Sequence, residues 1–168
     1  MPKLLVLFSS ADSYAANMAD VVADGAKRVR FTEVDVRAVV DGGSGASDRR
    51  RLESFDALRD YDGVVLVGPG PESSGHELGA LLDALDDGEP MTNVVFGVAG
   101  DENADMLTAL ARAGGLIAAQ PRGSSAEERA RGLGARVAKV IGWVRHALGH
   151  ESEHAQGHHH HSHDRPAS

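Results

Sequence analysis

The chain has no cysteine, which excludes disulfides, thiolate nucleophiles and cysteine-ligated zinc or iron–sulfur sites and leaves the redox compartment open. Aromatic residues make up only 4% of it, so there is little to stack against a flat ring. No apolar run approaches the roughly 18 residues that a membrane span requires. The N-terminus passes from Met1-Pro2-Lys3 straight into a short apolar stretch, without a cleavable signal pattern. Positive charge is also in deficit. A net charge of −8 argues against the broad phosphate-binding surface of a nucleic-acid protein. These absences predict a soluble, cytoplasmic protein with neither nucleic acid nor membrane among its partners, and any redox chemistry must come from a borrowed group. A length of 168 residues suits one domain. We place it over residues 1–150 and expect a disordered, polar, His-rich tail over 151–168.

What is present is organised around residues 3–27, KLLVLFSSADSYAANMADVVADGAK. Residues 4–8 form a continuous apolar run, too short for most helices and suited to a strand covered on both faces. Tyr14, Met18, Val21, Val22 and Ala26 then recur at helical spacing. Between strand and helix lies a turn of small, hydroxylated residues. Unpartnered N–H groups and the positive end of the dipole let such a helix start receive a phosphate. Asp12 or Ser13 can equally cap those same N–H groups with a side-chain oxygen. Both readings stand on these residues.

Further along, residues 29–36 alternate as VRFTEVDV and predict a more exposed strand. A Gly/Ser-rich loop and a short helix through Leu58 follow, then an interior strand over 62–68 that empties into Pro69-Gly70-Pro71-Glu72-Ser73. The three consecutive arginines at 49–51 are flanked by Asp48 and Glu53, which reads as a solvated face. A helix carrying Leu78, Leu81, Leu82 and Leu85 leads to a third interior strand over 93–99, with an acidic exit at Gly100-Asp101. Met106, Leu107 and Leu110 mark another helix, and residues 116–119 a short last strand. Ser124 or Ser125 with Glu127 or Glu128 makes a capping box for a long final helix. Alternating strands and helices imply right-handed crossovers and a doubly wound α/β domain with a parallel sheet and helices on both faces. The loops over 9–15, 69–75 and 99–105 then converge beyond the carboxyl ends of the central strands, where such folds bind ligands.

These residues resemble the flavodoxin-like family, and within it the tryptophan-repressor-binding-protein type of FMN-dependent NAD(P)H:quinone oxidoreductases. KLLVLFSSADSYAANMADVVADGA is similar to that family's first strand, phosphate loop and first helix without gaps. YDGVVLVGPG resembles its third strand and the start of its flavin loop, and ARAGGLIAAQP with ARGLGARVAKVIGWV resembles its fifth strand and last helix. The resemblance implies a five-stranded sheet of order 2-1-3-4-5. It implies an FMN site formed by Ser9, Ser10, Asp12, Ser13, Tyr14 and Ala15 at the phosphate, and by Pro69, Gly70, Pro71, Glu72, Ser73, Ala99, Gly100 and Asp101 beside the flavin. It further implies FMN-based electron transfer or NAD(P)H-dependent quinone reduction, with a small-molecule or protein redox partner and a homo-oligomer. The chain departs from the pattern at Asp12, since a carboxylate there repels a dianionic phosphate unless it caps the helix. It departs again at residues 71–75 and 100–103, and it lacks the insertion that builds subunit contacts in those relatives. The alternative is a non-catalytic member of the same fold with a degenerate FMN site, acting as a binding or metal-handling accessory protein.

No catalytic residue is assigned. His76 and Glu77 begin a helix near the crevice, where an acid/base pair and an ordinary helix start read alike, and no Ser-His-Asp order supports hydrolysis. In the tail, His146, His150 and His154 recur every four residues, and His158, His159, His160, His161 and His163 follow. Imidazoles at this density bind ions such as Ni or Zn. The metal-ligand candidates are therefore His150, His154, His158, His159, His160, His161 and His163.

Overall fold

The computed structural model describes residues 1–9, 12–39, 51–52, 54–70, 76–100 and 104–156, with residues 76, 77, 86 and 150–156 as backbone alone. Five parallel strands, β1 (Lys3–Ser9), β2 (Glu33–Val39), β3 (Gly63–Val67), β4 (Val95–Ala99) and β5 (Leu116–Ile117), lie in the order β2-β1-β3-β4-β5. Each segment joining successive strands carries a helix: α1 (Ser13–Lys27), a 3-10 helix (Phe55–Asp60), α2 (His76–Asp86) and α3 (Ala104–Arg112). Helix α4 (Ala126–Gln156) is the last element among the described residues and runs six residues past the predicted domain end at 150.

Strand β1 is central because both of its faces are apolar, and the side-chain period of two sends alternate residues to opposite layers. Leu4, Val6 and Phe8 join Val65, Val67, Leu133, Val137 and Ile141 beneath α1 and α4. Leu5 and Leu7 join Val64, Leu66, Phe96, Leu81 and Leu110 under α2 and α3. Fully burying one such side chain stabilises the fold by about 1.5–3 kcal/mol, so the two layers together fix which residues of each strand face which way.

Helices α1 and α4 approach so closely that neither admits a side chain at the crossing. A Cβ added to Gly25 would stand 1.9 Å from the carbonyl oxygen of Arg131, and one added to Gly134 would stand 2.0 Å from that of Val22. These two glycines allow the backbones to touch and set the spacing of the pair.

The second strand begins four residues later than the alternation over 29–36 predicts. Arg28 and Val29 still donate their amides to Gly25 and Ala26 as the end of α1. Phe31 has φ 65° and is 75% exposed. The alternating pattern continues through Arg37 and Ala38, so it fits two registers. Parallel pairing of Lys3 with Glu33 selects the later one, which buries Ala38 and Val39.

At the head of α4 the capping box resolves to one pair. Ser125 Oγ accepts the amide of Glu128, whose Oε2 accepts the amide and hydroxyl of Ser124. Among the described residues no helix is long and apolar enough to cross a membrane.

Candidate functional site

The carboxyl ends of β1, β3 and β4 come together, as the sequence predicts, and the bonds that join them are specific. Gly68 donates its amide to the carbonyl of Ala99 at 2.7 Å, tying the exit of β3 to that of β4. Asp12 ties the exit of β1 to that of β3.

Asp12 is the N-cap of α1. Its backbone is extended, and its Oδ1 accepts the amides of Tyr14 at 2.9 Å and Ala15 at 3.2 Å. Its second oxygen accepts the amide of Gly70 at 2.6 Å. The side chain is 8% exposed. The helix start thus satisfies two of its orphan donors with its own carboxylate, and the same group takes the amide that leads into the second loop. Ala16 donates to the Asp12 carbonyl at 3.0 Å, so the first helical bond closes directly behind the cap. Of the two readings open at this turn, the structure shows the cap.

The other described residues of the expected set stand at the ends of β1, β3 and β4 and at the start of α1. Ser9 is fully buried at the end of β1, paired with Val39. Ser13 is exposed at the first position of α1, and Ala15 is fully buried. Tyr14 is 44% exposed and lies against Gly70, where an added Cβ would meet its ring and Cβ at 3.0 Å. Pro69 is half-buried, Ala99 is buried, and Gly100 has φ 142°, a conformation that favours glycine. Ser10, Pro71, Glu72, Ser73 and Asp101 lie outside the described residues.

Two openings adjoin Tyr14, and the sequence reading missed the residues on their far side. A slot of about 20 Å³ between Tyr14, Gly68, Gly100, Gln120 and Arg129 has room for one water. A separate groove of about 560 Å³ between α1 and the head of α4 shares Tyr14, Met18 and Ala126 with it and is edged by Asn17, Val21 and Glu127. Gln120 follows the last strand as the other loops follow theirs. Treating the exit of β5 like the exits of β1, β3 and β4 would have found it.

His76 and Glu77 open α2, and their side chains are not among those described. His150 and His154 fall on α4, whereas His158, His159, His160, His161 and His163 lie outside the described residues. Among the described side chains no cluster of metal-ligating groups occurs.

No protein-family model matches the sequence, and no curated protein matches it. Solved structures do. A diflavin flavoprotein A3 from Nostoc sp. superposes with a TM-score of 0.58 at 16% identity, over 89% of this chain and 97% of its own. A short-chain flavodoxin associated with a bacterial microcompartment gives 0.61 at 16% identity, over 84% and 99%. The flavodoxin-like domain of a Synechococcus sp. protein gives 0.55 at 16% identity, over 83% and 99%. With its strand order and the helices on both faces of its sheet, the chain has the flavodoxin-like fold.

Proposed function

We propose that this chain is a non-catalytic binding protein of the flavodoxin-like fold, in which a resident carboxylate holds the phosphate end of the nucleotide cleft shut. The observation that carries this reading is Asp12, which accepts from Tyr14, Ala15 and Gly70 at once. An FMN phosphate entering here would displace the carboxylate from three amides and then sit beside it. At about 5 Å and an effective dielectric near 20, that repulsion costs about 3 kcal/mol per unit of phosphate charge. Among the described residues, the amides at the start of α1 that would receive an FMN phosphate are already taken by Asp12. What stays open is the groove toward α4, walled by Tyr14, Met18, Val21 and Ala126 with polar groups at its rim. Such a groove suits a phosphate-free, largely apolar small molecule.

A second reading is FMN-dependent electron transfer, in its finer form NAD(P)H-dependent quinone reduction of the tryptophan-repressor-binding-protein kind. The flavoprotein identity of the structural neighbours favours it. When bound, the flavin would supply the redox chemistry and the protein its orientation.

One titration separates the two readings: FMN against riboflavin, followed by flavin fluorescence. The binding-protein reading expects FMN weaker than about 100 µM, or roughly −5.5 kcal/mol, and no tighter than riboflavin within a factor of three. Asp12→Gly, checked for folding by circular dichroism, should then raise the FMN-to-riboflavin preference by tenfold or more. A thirtyfold preference for FMN in the unaltered protein overturns the first reading and supports the second.

A further inference from the structure

The groove between α1 and the head of α4 is apolar along its floor and acidic at its rim. Tyr14, Met18 and Val21 follow one another at steps of four and three, so they line one face of α1. Ala126 meets them from α4. Asn17, Ser125 and Glu127 stand at the rim and are exposed. Ser125 Oγ is occupied, since it accepts the amide of Glu128. Among the described residues, the side chains of Asn17 and Glu127 have no hydrogen-bond or ion-pair partner, and no lysine or arginine lines the groove. Arg129 lines the neighbouring slot, where it donates to the carbonyl of Gly123.

We propose that this groove takes an organic monocation, an ammonium or amidinium group carried on an apolar, ring-sized body. The inference rests on reading the groove as a small-molecule site and adds the sign of the ligand's charge. A cation there has the Glu127 carboxylate, the Asn17 side-chain carbonyl and the ring of Tyr14 to meet, and each of these attracts positive charge. An anion would be repelled by Glu127. The positive end of the α4 dipole amounts to about half a unit charge, and the two carboxylates of its first turn, Glu127 and Glu128, outweigh it. Glu128 is bound into the cap by Ser124, which leaves Glu127 to face the ligand. A net charge of −8 draws cations toward the chain before contact. Met18, Val21 and Ala126 favour a cation with an apolar body over a hydrated metal ion, because only the former gains by covering them.

The test titrates the full, nitrogen-15-labelled chain at low salt with three probes built on one ring system: 1-naphthylmethylamine, 1-naphthylmethanol and 1-naphthoate. Binding is followed by the amide NMR shifts of Asn17 and Glu127. The protonated amine should bind about fivefold tighter than the neutral alcohol, the scale of one exposed ion pair, and the carboxylate weakest of the three. Glu127→Gln keeps the shape of the side chain and a strong helix former; it should bring amine and alcohol within about twofold of each other and leave the alcohol's affinity unchanged. Asp83→Asn removes the same charge from α2, on the other face of the sheet, and should keep the fivefold preference. Equal binding of amine and alcohol by the unaltered protein overturns the inference while the groove remains a small-molecule site. A preference that falls as far in Asp83→Asn as in Glu127→Gln also overturns it, since net charge alone would then account for it. If no probe moves either amide, the groove is not a small-molecule site and both readings fail.

Discussion

Asp12 Oδ2 and the Gly70 amide stand 2.6 Å apart, joining two loops that are 58 residues apart in the chain. The same side chain caps α1, so it has a local role and a long-range one. Removing it should expose both. Asp12→Ala loses an N-cap worth about 1 kcal/mol and leaves a buried amide at Gly70 without its acceptor, which costs about 1–3 kcal/mol. We expect a thermal midpoint lower by about 4–16 °C. Asp12→Asn keeps one acceptor oxygen and should fall between the two. A melt of Asp12→Ala indistinguishable from the parent would remove the structural role assigned to this carboxylate.

The crossing of α1 and α4 makes a prediction of opposite signs within one helix. Gly134→Ala drives a Cβ to 2.0 Å from the Val22 carbonyl, an overpacking that costs about 1–3 kcal/mol or more. Gly142, two turns further on, has nothing within 4 Å of its Cβ position. Gly142→Ala should stabilise by about 1 kcal/mol through helix propensity. Urea denaturation of both variants checks the contrast.

Phe31 combines a positive φ of 65° with 75% exposure. A bulky residue held in that conformation costs about 1–2 kcal/mol, and little burial offsets it. Phe31→Gly should therefore raise the denaturation midpoint, an unusual result for deleting a phenyl ring. A lowered midpoint would show that the ring contributes more than its exposure indicates.

A cluster away from the cleft governs the response to alkali. Tyr61 Oη donates to Asp35 Oδ2 at 2.7 Å, and Arg37 donates to the same oxygen at 3.3 Å. Burial, then the Asp35 bond and charge, push the Tyr61 hydroxyl up to about 12. Because its folded value lies above its ordinary one, its contribution is whole below about pH 10 and is lost as pH rises toward 12. For Asp35, burial works upward, but the bonds from Tyr61 and Arg37 with the Arg37 and Lys3 charges hold its carboxyl below the ordinary value. Its contribution is whole above about pH 4 and fades as acid protonates it. Tyr61→Phe should lower stability at pH 8 and flatten its fall between pH 10 and 12, read by denaturant melts across that range. An unchanged slope would count against the cluster.

The two-faced core and the meeting of three loops were legible in the sequence from the interior strands at 4–8, 62–68 and 93–99 and their alternation with helices, whereas the strand order came from the family resemblance. The start of β2 was not. VRFTEVDV alternates through a helix end and a turn, and period two alone does not say where pairing begins. At the turn after β1 the residues themselves favoured capping, and the family resemblance favoured phosphate binding. The choice rests on Gly70, whose amide holds the second oxygen of Asp12, and a contact across so many residues leaves no local trace. Arg129 escaped for a similar reason, since its place beside Tyr14 follows from how α4 lies on α1.

The glycine contact between those helices has a bearing on how the cleft could ever open. With Gly25 pressed against the backbone of Arg131 and Gly134 against that of Val22, α1 has little slack to slide or tilt toward its neighbour. Access to the amides behind Asp12 must then come from torsion about the one or two bonds of that side chain, with the helix axis standing still. The entrance behaves as a latch on a fixed frame, and its kinetics should be those of a rotamer.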